Sequence, residues 1–259
     1  MIKADFHVHT TYCDGKHTPE EMVKTAISLG MTSLGFSVHS YTEFDQSYCI
    51  KKERMADYIE EINSLKAKYS DKIRILCGIE RDLYAEEPEG NFDYTIGSLH
   101  YVKKNGVYYT IDESADRLRQ AINEAWQGSA TAFAKDYYAE VSRMGEVSPD
   151  IIGHLDLITK FDEVEPIFDT EDPAYIAAAK GAVDALLPLG VPFEINTGAI
   201  SRGYRKTPYP APFLLSYIIE KGGKVILSGD VHAVSGLLCH FEEAEALARS
   251  LGADRFETL

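Results

Sequence analysis

Short apolar segments alternate with longer amphipathic segments along almost the whole of this 259-residue chain. The apolar segments are typical of buried strands, and the amphipathic segments have the residue spacing that lets a helix bury one face. Strands that alternate with helices predict a parallel sheet, because parallel neighbours are joined by a helical crossover. Seven such units in a chain of this length favour a closed barrel over an open sheet, and we expect a single domain over residues 1–259.

The predicted elements follow one another in a regular order. Strands are predicted at 2–8, 32–39, 72–80, 93–102, 150–158, 191–197 and 224–230, with a hairpin strand at 106–111. Helices are predicted at 18–30, 51–69, 113–127, 130–144, 174–189, 210–222 and 234–250. The first helix has clear boundary signals, since Thr18 can cap it, Pro19 suits its first turn and Gly30 can end it.

Composition and charge narrow the range of functions. The formal net charge is −15, and such an acidic chain repels a phosphate backbone, which argues against long nucleic acids as partners. The sequence has no apolar run of roughly 18 residues and no signal-peptide pattern, so we expect no membrane span and a cytoplasmic location. The four cysteines form no CxxC pair, which argues against a disulfide framework and a thiolate zinc site.

Histidine and acidic residues stand at the ends of the predicted strands. They are His7, His9, His39, Glu80, His100, His154, Asp230 and His232. In a parallel α/β barrel the carboxyl ends of the strands open on one face, so these side chains are expected to converge there. A single histidine at a strand end is usually an ordinary polar residue, but so many together without a metal would leave buried polar groups unsatisfied. Imidazole and carboxylate donors together suit zinc, iron or manganese.

The motifs that carry these residues resemble the polymerase-and-histidinol-phosphatase (PHP) superfamily. The similar segments are DFHVHT, Cys13-Asp14-Gly15, His39, GIE ending at Glu80, GSLH ending at His100, GHLD from Gly153 and GDVH ending at His232. They lie in the family's order and extend from residue 5 to residue 232. The resemblance implies a distorted seven-stranded TIM-like (β/α) barrel with three divalent metal ions, which can be zinc, manganese or iron.

The resemblance also implies which residues hold each ion. The first ion would be held by His7, His9, Glu80 and Asp230, the second by Glu80, His100 and His154, and the third by Asp14, His39 and His232. Glu80 would therefore bridge two ions. Many family members have histidine near the position of Asp14, and His17 is a nearby alternative in this chain.

Two further segments are similar to the histidinol-phosphate phosphatase subgroup. FEINTGAISRGYRKTPYP resembles the subgroup's EINTSGLR…YP segment, and DIIGHLDLITKF resembles its GHxDLxxK strand. This likeness implies a phosphomonoesterase that acts on L-histidinol phosphate in histidine biosynthesis. Gly198-Ala199 stands where the subgroup has Ser-Gly, so substrate contacts in this loop can differ.

Hydrolysis at such a centre would use a metal-bridged hydroxide that attacks phosphorus in line, without a phosphorylated protein intermediate. Arg202 and Arg205 follow a strand that ends at the same face and are predicted phosphate contacts, because a guanidinium binds phosphate bidentately. Lys160 is predicted as a further anion contact. Asp230, His232 or a metal-bound water could protonate the leaving alkoxide, and the sequence does not choose among them.

Other acidic and histidine residues receive more ordinary interpretations. Asp156, two residues past His154, is predicted to orient a ligand histidine, whereas Glu43, Asp45 and Asp162 are interpreted as surface charges and His17 and His240 as structural or surface residues.

Two other functions remain open. One is a PHP phosphatase or phosphodiesterase that acts on phosphotyrosine, a nucleotide or a short oligonucleotide. The other is a non-catalytic, metal-stabilised interaction domain, which the presence of all nine ligand-capable residues disfavours.

Overall fold

The computed structural model describes residues 2–259 and contains nine strands in that part of the chain. The strands are β1 (Ala4–Asp5), β2 (Ser33–His39), β3 (Arg74–Asp82), β4 (Tyr94–Ser98), β5 (Tyr101–Lys104), β6 (Val107–Thr110), β7 (Ile151–Ile152), β8 (Phe193–Asn196) and β9 (Val225–Ser228). Seven of them form one parallel sheet in the order β1-β2-β3-β4-β7-β8-β9, and β5 and β6 form a separate antiparallel hairpin.

The first and last strands of the sheet meet and close it into a barrel. Val8 and Val231 form a parallel bridge just beyond the ends of β1 and β9. The Val231 amide donates to the His7 carbonyl over 2.9 Å, and the His9 amide donates to the Val231 carbonyl over 2.8 Å. The predicted seven-stranded α/β barrel is therefore confirmed.

Residues 2–259 contain eight α-helices, of which the last follows the final strand. They are α1 (Pro19–Ser28), α2 (Met55–Lys68), α3 (Ala115–Trp126), α4 (Ala130–Val141), α5 (Pro173–Leu186), α6 (Gly198–Ser201), α7 (Pro212–Glu220) and α8 (Phe241–Ser250). The predicted cap of α1 is present, because the Thr18 hydroxyl accepts from the Glu21 amide and the Glu21 carboxylate accepts from the Thr18 amide. Between residues 2 and 259, none of the helices has the length and apolar character to cross a membrane.

Two barrel strands are much shorter than the sequence predicts. The segment predicted at 2–8 is a strand only at Ala4–Asp5, because the amides of His7 and Val8 donate to the side chains of Asp5 and Ser37. The segment predicted at 150–158 is a strand only at Ile151–Ile152, and a 3₁₀ turn follows at Leu157–Thr159. Near the site, side chains thus accept some of the amide hydrogen bonds that neighbouring strands would otherwise accept.

The carboxyl-terminal helix is also shorter than predicted. Residues 234–250 form a 3₁₀ turn at Val234–Gly236 and then α8, with the segment between them outside the helix. Leu238 and His240 have φ angles of 57° and 59°, which a continuous right-handed helix cannot contain. The short helix α6 was not predicted at all.

A buried tyrosine fills the barrel at the start of β4. The Tyr94 hydroxyl donates to the carbonyls of Phe6 and Phe36 over 2.5 and 2.9 Å. Two glycines make room for this side chain. A Cβ atom at Gly78 would lie 2.3 Å from carbons of the Tyr94 ring, and a Cβ atom at Gly35 would lie 2.5 Å from its hydroxyl. The barrel interior is therefore a packed core beneath the strand ends that carry the site.

Candidate metal centre

The carboxyl ends of the barrel strands bring all nine predicted metal ligands into one cluster. Their donor atoms form four overlapping groups, within each of which the atoms lie within 4.8 Å of one another. The groups are His9, Asp14, His39 and His232; His7, His9 and Asp230; His7, Glu80 and His154; and His39, Glu80 and His100. Nearly all of these side chains are buried, and Asp14 is the most exposed of them.

Glu80 lies at the centre of the cluster, and its two oxygens face different histidines. Oε2 lies 2.7 Å from His39 Nδ1 and 3.3 Å from His7 Nε2. Oε1 lies 3.1 Å from His154 Nε2 and 3.5 Å from His100 Nε2. This arrangement is the one that a carboxylate bridging two metal ions requires.

Asp14, rather than His17, lies within the outer part of the cluster. Asp14 Oδ2 is 3.1 Å from His232 Nε2, and its Oδ1 is 3.6 Å from His39 Nε2. His17 instead accepts a hydrogen bond from the Val234 amide over 3.4 Å and belongs to none of the donor groups. The turn that contains Cys13-Asp14-Gly15 therefore supplies the donor from this loop.

The electrostatic surroundings favour the metal-binding forms of His9 and Glu80, whereas neighbouring acids raise the pKa of His7, His39 and His100. Burial, together with the neighbouring His39 and His232, lowers the pKa of His9 to about 3. Burial alone would raise the pKa of the Glu80 carboxyl, but His39, His7 and His100 hold that pKa well below its ordinary value. A neutral imidazole and an ionised carboxylate are the forms that bind a divalent cation.

Buried atoms without hydrogen bonds show that the residues fit such a cation. In the described part of the chain, His7 Nε2, His9 Nε2 and Glu80 Oε2 are buried and have no hydrogen-bond partner. Each unsatisfied buried polar group costs about 1–3 kcal/mol. The three atoms point into the same region, so one divalent ion would satisfy them together.

Carboxylates behind the ligands fix the histidine rings. Glu194 Oε1 lies 2.6 Å from His7 Nδ1, while Glu194 Oε2 accepts from the His154 amide over 2.9 Å and from Asn196 Nδ2 over 2.8 Å. Ser228 donates to the same carboxylate. A carboxylate behind a ligand histidine sets its tautomer and increases its basicity. Sequence reasoning missed Glu194, although an ionisable residue within a fully buried strand was the available signal.

His100 has a similar partner that the sequence also did not reveal. Asp82 Oδ2 accepts from the His100 amide over 2.8 Å and lies 3.2 Å from His100 Nδ1. The structure does not place Asp156 in the corresponding role for His154, because Asp156 Oδ2 accepts from the Ala211 amide over 2.8 Å. Asp156 therefore holds the loop before α7, and within residues 2–259 it makes no hydrogen bond to a ligand histidine, contrary to the prediction that it orients one.

The cluster opens into a cavity of about 320 Å³. Arg202 lines this cavity next to the ligands, with Nη1 donating to the Asp230 carbonyl over 2.7 Å and Nη2 lying 3.0 Å from Asp230 Oδ2. Lys160 also lines it, and its Nζ lies 2.8 Å from the Asp112 carbonyl and 3.2 Å from Asp112 Oδ2. Two of the three predicted cations, Arg202 and Lys160, therefore line the cavity beside the metal centre.

Arg205 lies elsewhere, and the structure contradicts the prediction that it contacts phosphate. Its side chain is buried and donates to the carbonyl and hydroxyl of Thr159 and to the Thr207 carbonyl. Its guanidinium also stacks on Tyr209, 4.4 Å from the ring centre, and it does not line the cavity. These contacts use the guanidinium to join two loops.

Two acids that were interpreted as surface charges have more specific surroundings. Asp45 lines the cavity, and its Oδ2 accepts from the Tyr101 hydroxyl over 2.7 Å. Asp162 is partly buried and accepts from the amides of Ile167 and Phe168, and burial raises the pKa of its carboxyl to about 6.

Comparison with known proteins identifies the family. The sequence model of the PHP domain matches residues 5–198, which is more than half of the chain. The chain belongs to the PHP domain family. The "Probable histidinol-phosphatase" of Deinococcus radiodurans is 30% identical over 265 residues, which cover 96% of this chain and 93% of that relative. The histidinol-phosphatase of Bacillus subtilis is 25% identical over 256 residues, which cover 90% of this chain and 94% of that relative.

A solved structure has the same fold as this PHP protein. It is the histidinol phosphate phosphatase of Lactococcus lactis, described as a complex with zinc, L-histidinol and phosphate. The TM-score is 0.74 at 20% sequence identity, and the match covers 99% of this chain and 96% of the other.

Proposed function

We propose that this PHP protein is a metal-dependent phosphomonoesterase that hydrolyses L-histidinol phosphate. The observation that carries the proposal is the complete set of nine ligand residues grouped around Glu80 at the base of a cavity lined by Arg202. The relatives named histidinol-phosphatase, which match nearly the full chain, support the choice of substrate.

The donor groups support a three-ion centre. The proposed sets, which the family resemblance implies, are His7, His9, Glu80 and Asp230 for the first ion, Glu80, His100 and His154 for the second, and Asp14, His39 and His232 for the third. When bound, zinc, manganese or iron would neutralise phosphate oxygens and lower the pKa of a water molecule that serves as nucleophile.

The chain's own residues orient the substrate and handle its proton. Arg202 presents a guanidinium next to the ligand cluster, where it can bind non-bridging phosphate oxygens, and Lys160 adds a second positive charge in the same cavity. Asp230 and His232 line the cavity beside Arg202, where either of them or a bound water molecule would supply the proton that the leaving alkoxide takes. Glu80 is surrounded by histidines and is proposed to hold their imidazole rings in position around the ions.

A substrate panel tests the proposed function. The metal-loaded protein should release inorganic phosphate from histidinol phosphate with a kcat/KM about 100-fold above that for phosphotyrosine or a nucleoside monophosphate. Equal or better turnover of phosphotyrosine or the nucleotide would contradict histidinol phosphate as the substrate. Absence of turnover with every phosphate ester would contradict catalysis itself.

A further inference from the structure

The cavity beside the metal centre has a charge distribution that metal binding does not explain. Arg202 lies at the inner end against Asp230, and Lys160 lies on Asp112. Three acids, Asp45, Asp112 and Glu113, line the same cavity without being members of the ligand groups. Arg202 therefore places a positive charge beside the ligand cluster, while the wall near the hairpin has three acids against the single charge of Lys160.

Asp112 is held in a fixed position on that wall. It follows the hairpin of β5 and β6, and the amide of the preceding Ile111 donates to the carbonyl of the ligand His100 over 3.1 Å. Lys160 binds its backbone carbonyl and Oδ2. In residues 2–259, Oδ1 of this carboxylate takes no hydrogen bond, and 29% of the side chain is exposed. One acceptor oxygen thus remains available to a ligand in the cavity.

Asp45 contributes a second fixed negative charge from a different loop. Its Oδ1 accepts from the amide and the hydroxyl of Ser47 over 3.0 and 2.7 Å, and its Oδ2 accepts from Tyr101. The adjacent Phe44 stacks on Tyr108 of the hairpin, with ring centres 3.8 Å apart. The loop after β2 and the hairpin after β4 are therefore joined, and both acids are positioned before any ligand binds.

We infer that Asp112, with Asp45 beside it, is a specificity-determining residue that binds the cationic amine of the leaving alcohol. This inference rests on the proposed function. A carboxylate with one unoccupied acceptor oxygen makes a charge-assisted hydrogen bond to an ammonium group, whereas a neutral alcohol gains nothing there. The same acidic wall repels leaving groups that carry further negative charge, such as a nucleoside with a second phosphate. The site would therefore select phosphate monoesters of amino alcohols.

The test compares a cationic and an uncharged leaving group in the metal-loaded enzyme. Asp112→Asn should lower the ratio of kcat/KM for histidinol phosphate to kcat/KM for p-nitrophenyl phosphate by about 10–100-fold. Competitive inhibition by L-histidinol should weaken by a similar factor, while inhibition by inorganic phosphate should change much less. Asp112→Glu, which retains the charge, should restore part of the ratio.

Asp116→Asn is the matched control, because it removes the same charge four residues away from a side chain that is 96% exposed. It should leave the ratio unchanged. The inference is overturned if Asp112→Asn lowers both kcat/KM values equally and weakens phosphate inhibition as much as histidinol inhibition, since Asp112 would then act only by holding Lys160. An unchanged ratio in Asp112→Asn would also overturn it.

The proposed substrate and the amine site can fail separately. A wild-type enzyme that ignores histidinol phosphate but prefers ethanolamine phosphate to p-nitrophenyl phosphate would contradict the substrate and support the amine site. An enzyme that hydrolyses histidinol phosphate with an Asp112→Asn ratio equal to that of the wild type would support the substrate and contradict the amine site.

Discussion

Glu80 connects more of the site than any single histidine does. Its two oxygens approach five histidines from four different barrel segments, and the side chain is completely buried. Without an anion or a metal among them, five imidazoles this close together would leave buried nitrogen atoms unsatisfied.

Replacement of Glu80 by alanine should therefore remove catalysis rather than weaken substrate binding. We expect kcat for histidinol phosphate to fall by at least about 10³-fold and the bound metal per chain to fall with it. Steady-state kinetics and elemental analysis measure the two effects, and Glu242→Gln on exposed surface serves as the control. Wild-type turnover in Glu80→Ala would show that the bridging role is wrong.

Glu194 acts through His7, so its replacement should have a smaller effect. Glu194→Gln removes the negative charge behind the ligand ring while keeping the side chain's size. Loss of such a partner reduces metal affinity by about 10–100-fold. A competition titration with a chromophoric chelator measures this change, and circular dichroism shows whether the fold survives. Unchanged affinity in a folded variant would assign Glu194 to barrel packing alone.

At the level of elements, the barrel depends on glycine where Tyr94 crosses its interior. Gly78→Ala would place a methyl group within 2.3 Å of the Tyr94 ring, and such overpacking costs about 1–3 kcal/mol. Urea unfolding should show this loss of stability. Gly181→Ala in α5 is the matched control, because nothing lies within 4 Å of its Cβ position, and it should stabilise the protein by about 0.5–1 kcal/mol. Equal effects of the two substitutions would contradict the packing argument.

The loop between β7 and α5 should make stability depend on pH through Asp162. Burial raises the pKa of this carboxyl to about 6 from an unfolded value of about 3.9. The folded protein binds more protons between these values, so this contribution to stability is present at low pH and is lost as pH rises towards the folded pKa. Asp162→Asn should be more stable than wild type at pH 8 by about 1–2 kcal/mol and nearly equal to it at pH 4. Denaturant unfolding at both pH values measures the difference, and parallel curves for the two proteins would contradict it.

The same elements show which parts of the fold the sequence can predict. Alternating hydrophobic segments were sufficient for the barrel because each strand buries both faces. These patterns overestimated the lengths of β1 and β7. There, the side chains of Asp5, Ser37 and Glu194 accept hydrogen bonds from backbone amides that would pair with a neighbouring strand in a regular sheet. Such contacts join segments that are distant in sequence, so no local pattern reveals them.

At the scale of the whole molecule, the sequence could predict those site residues that stand at the ends of barrel strands. Strand ends converge by topology alone, so the ligand residues could be named before their distances were known. Asp112 follows a hairpin outside the barrel, and its approach to the cavity depends on how that hairpin packs. Arg205 was mistaken for a phosphate contact because its partner Thr159 is distant in sequence and becomes a neighbour only in the folded chain.

The central claim is that this acidic barrel hydrolyses a phosphate monoester with bound divalent metal. Titration of the metal-free protein with zinc or manganese, with phosphate release from histidinol phosphate as the signal, tests that claim most directly. We expect no turnover without metal, and we expect the rate of phosphate release to rise with added metal until about three ions per chain are bound. Full turnover in the chelated protein, or a rate of phosphate release that does not depend on added metal, would contradict metal-dependent hydrolysis.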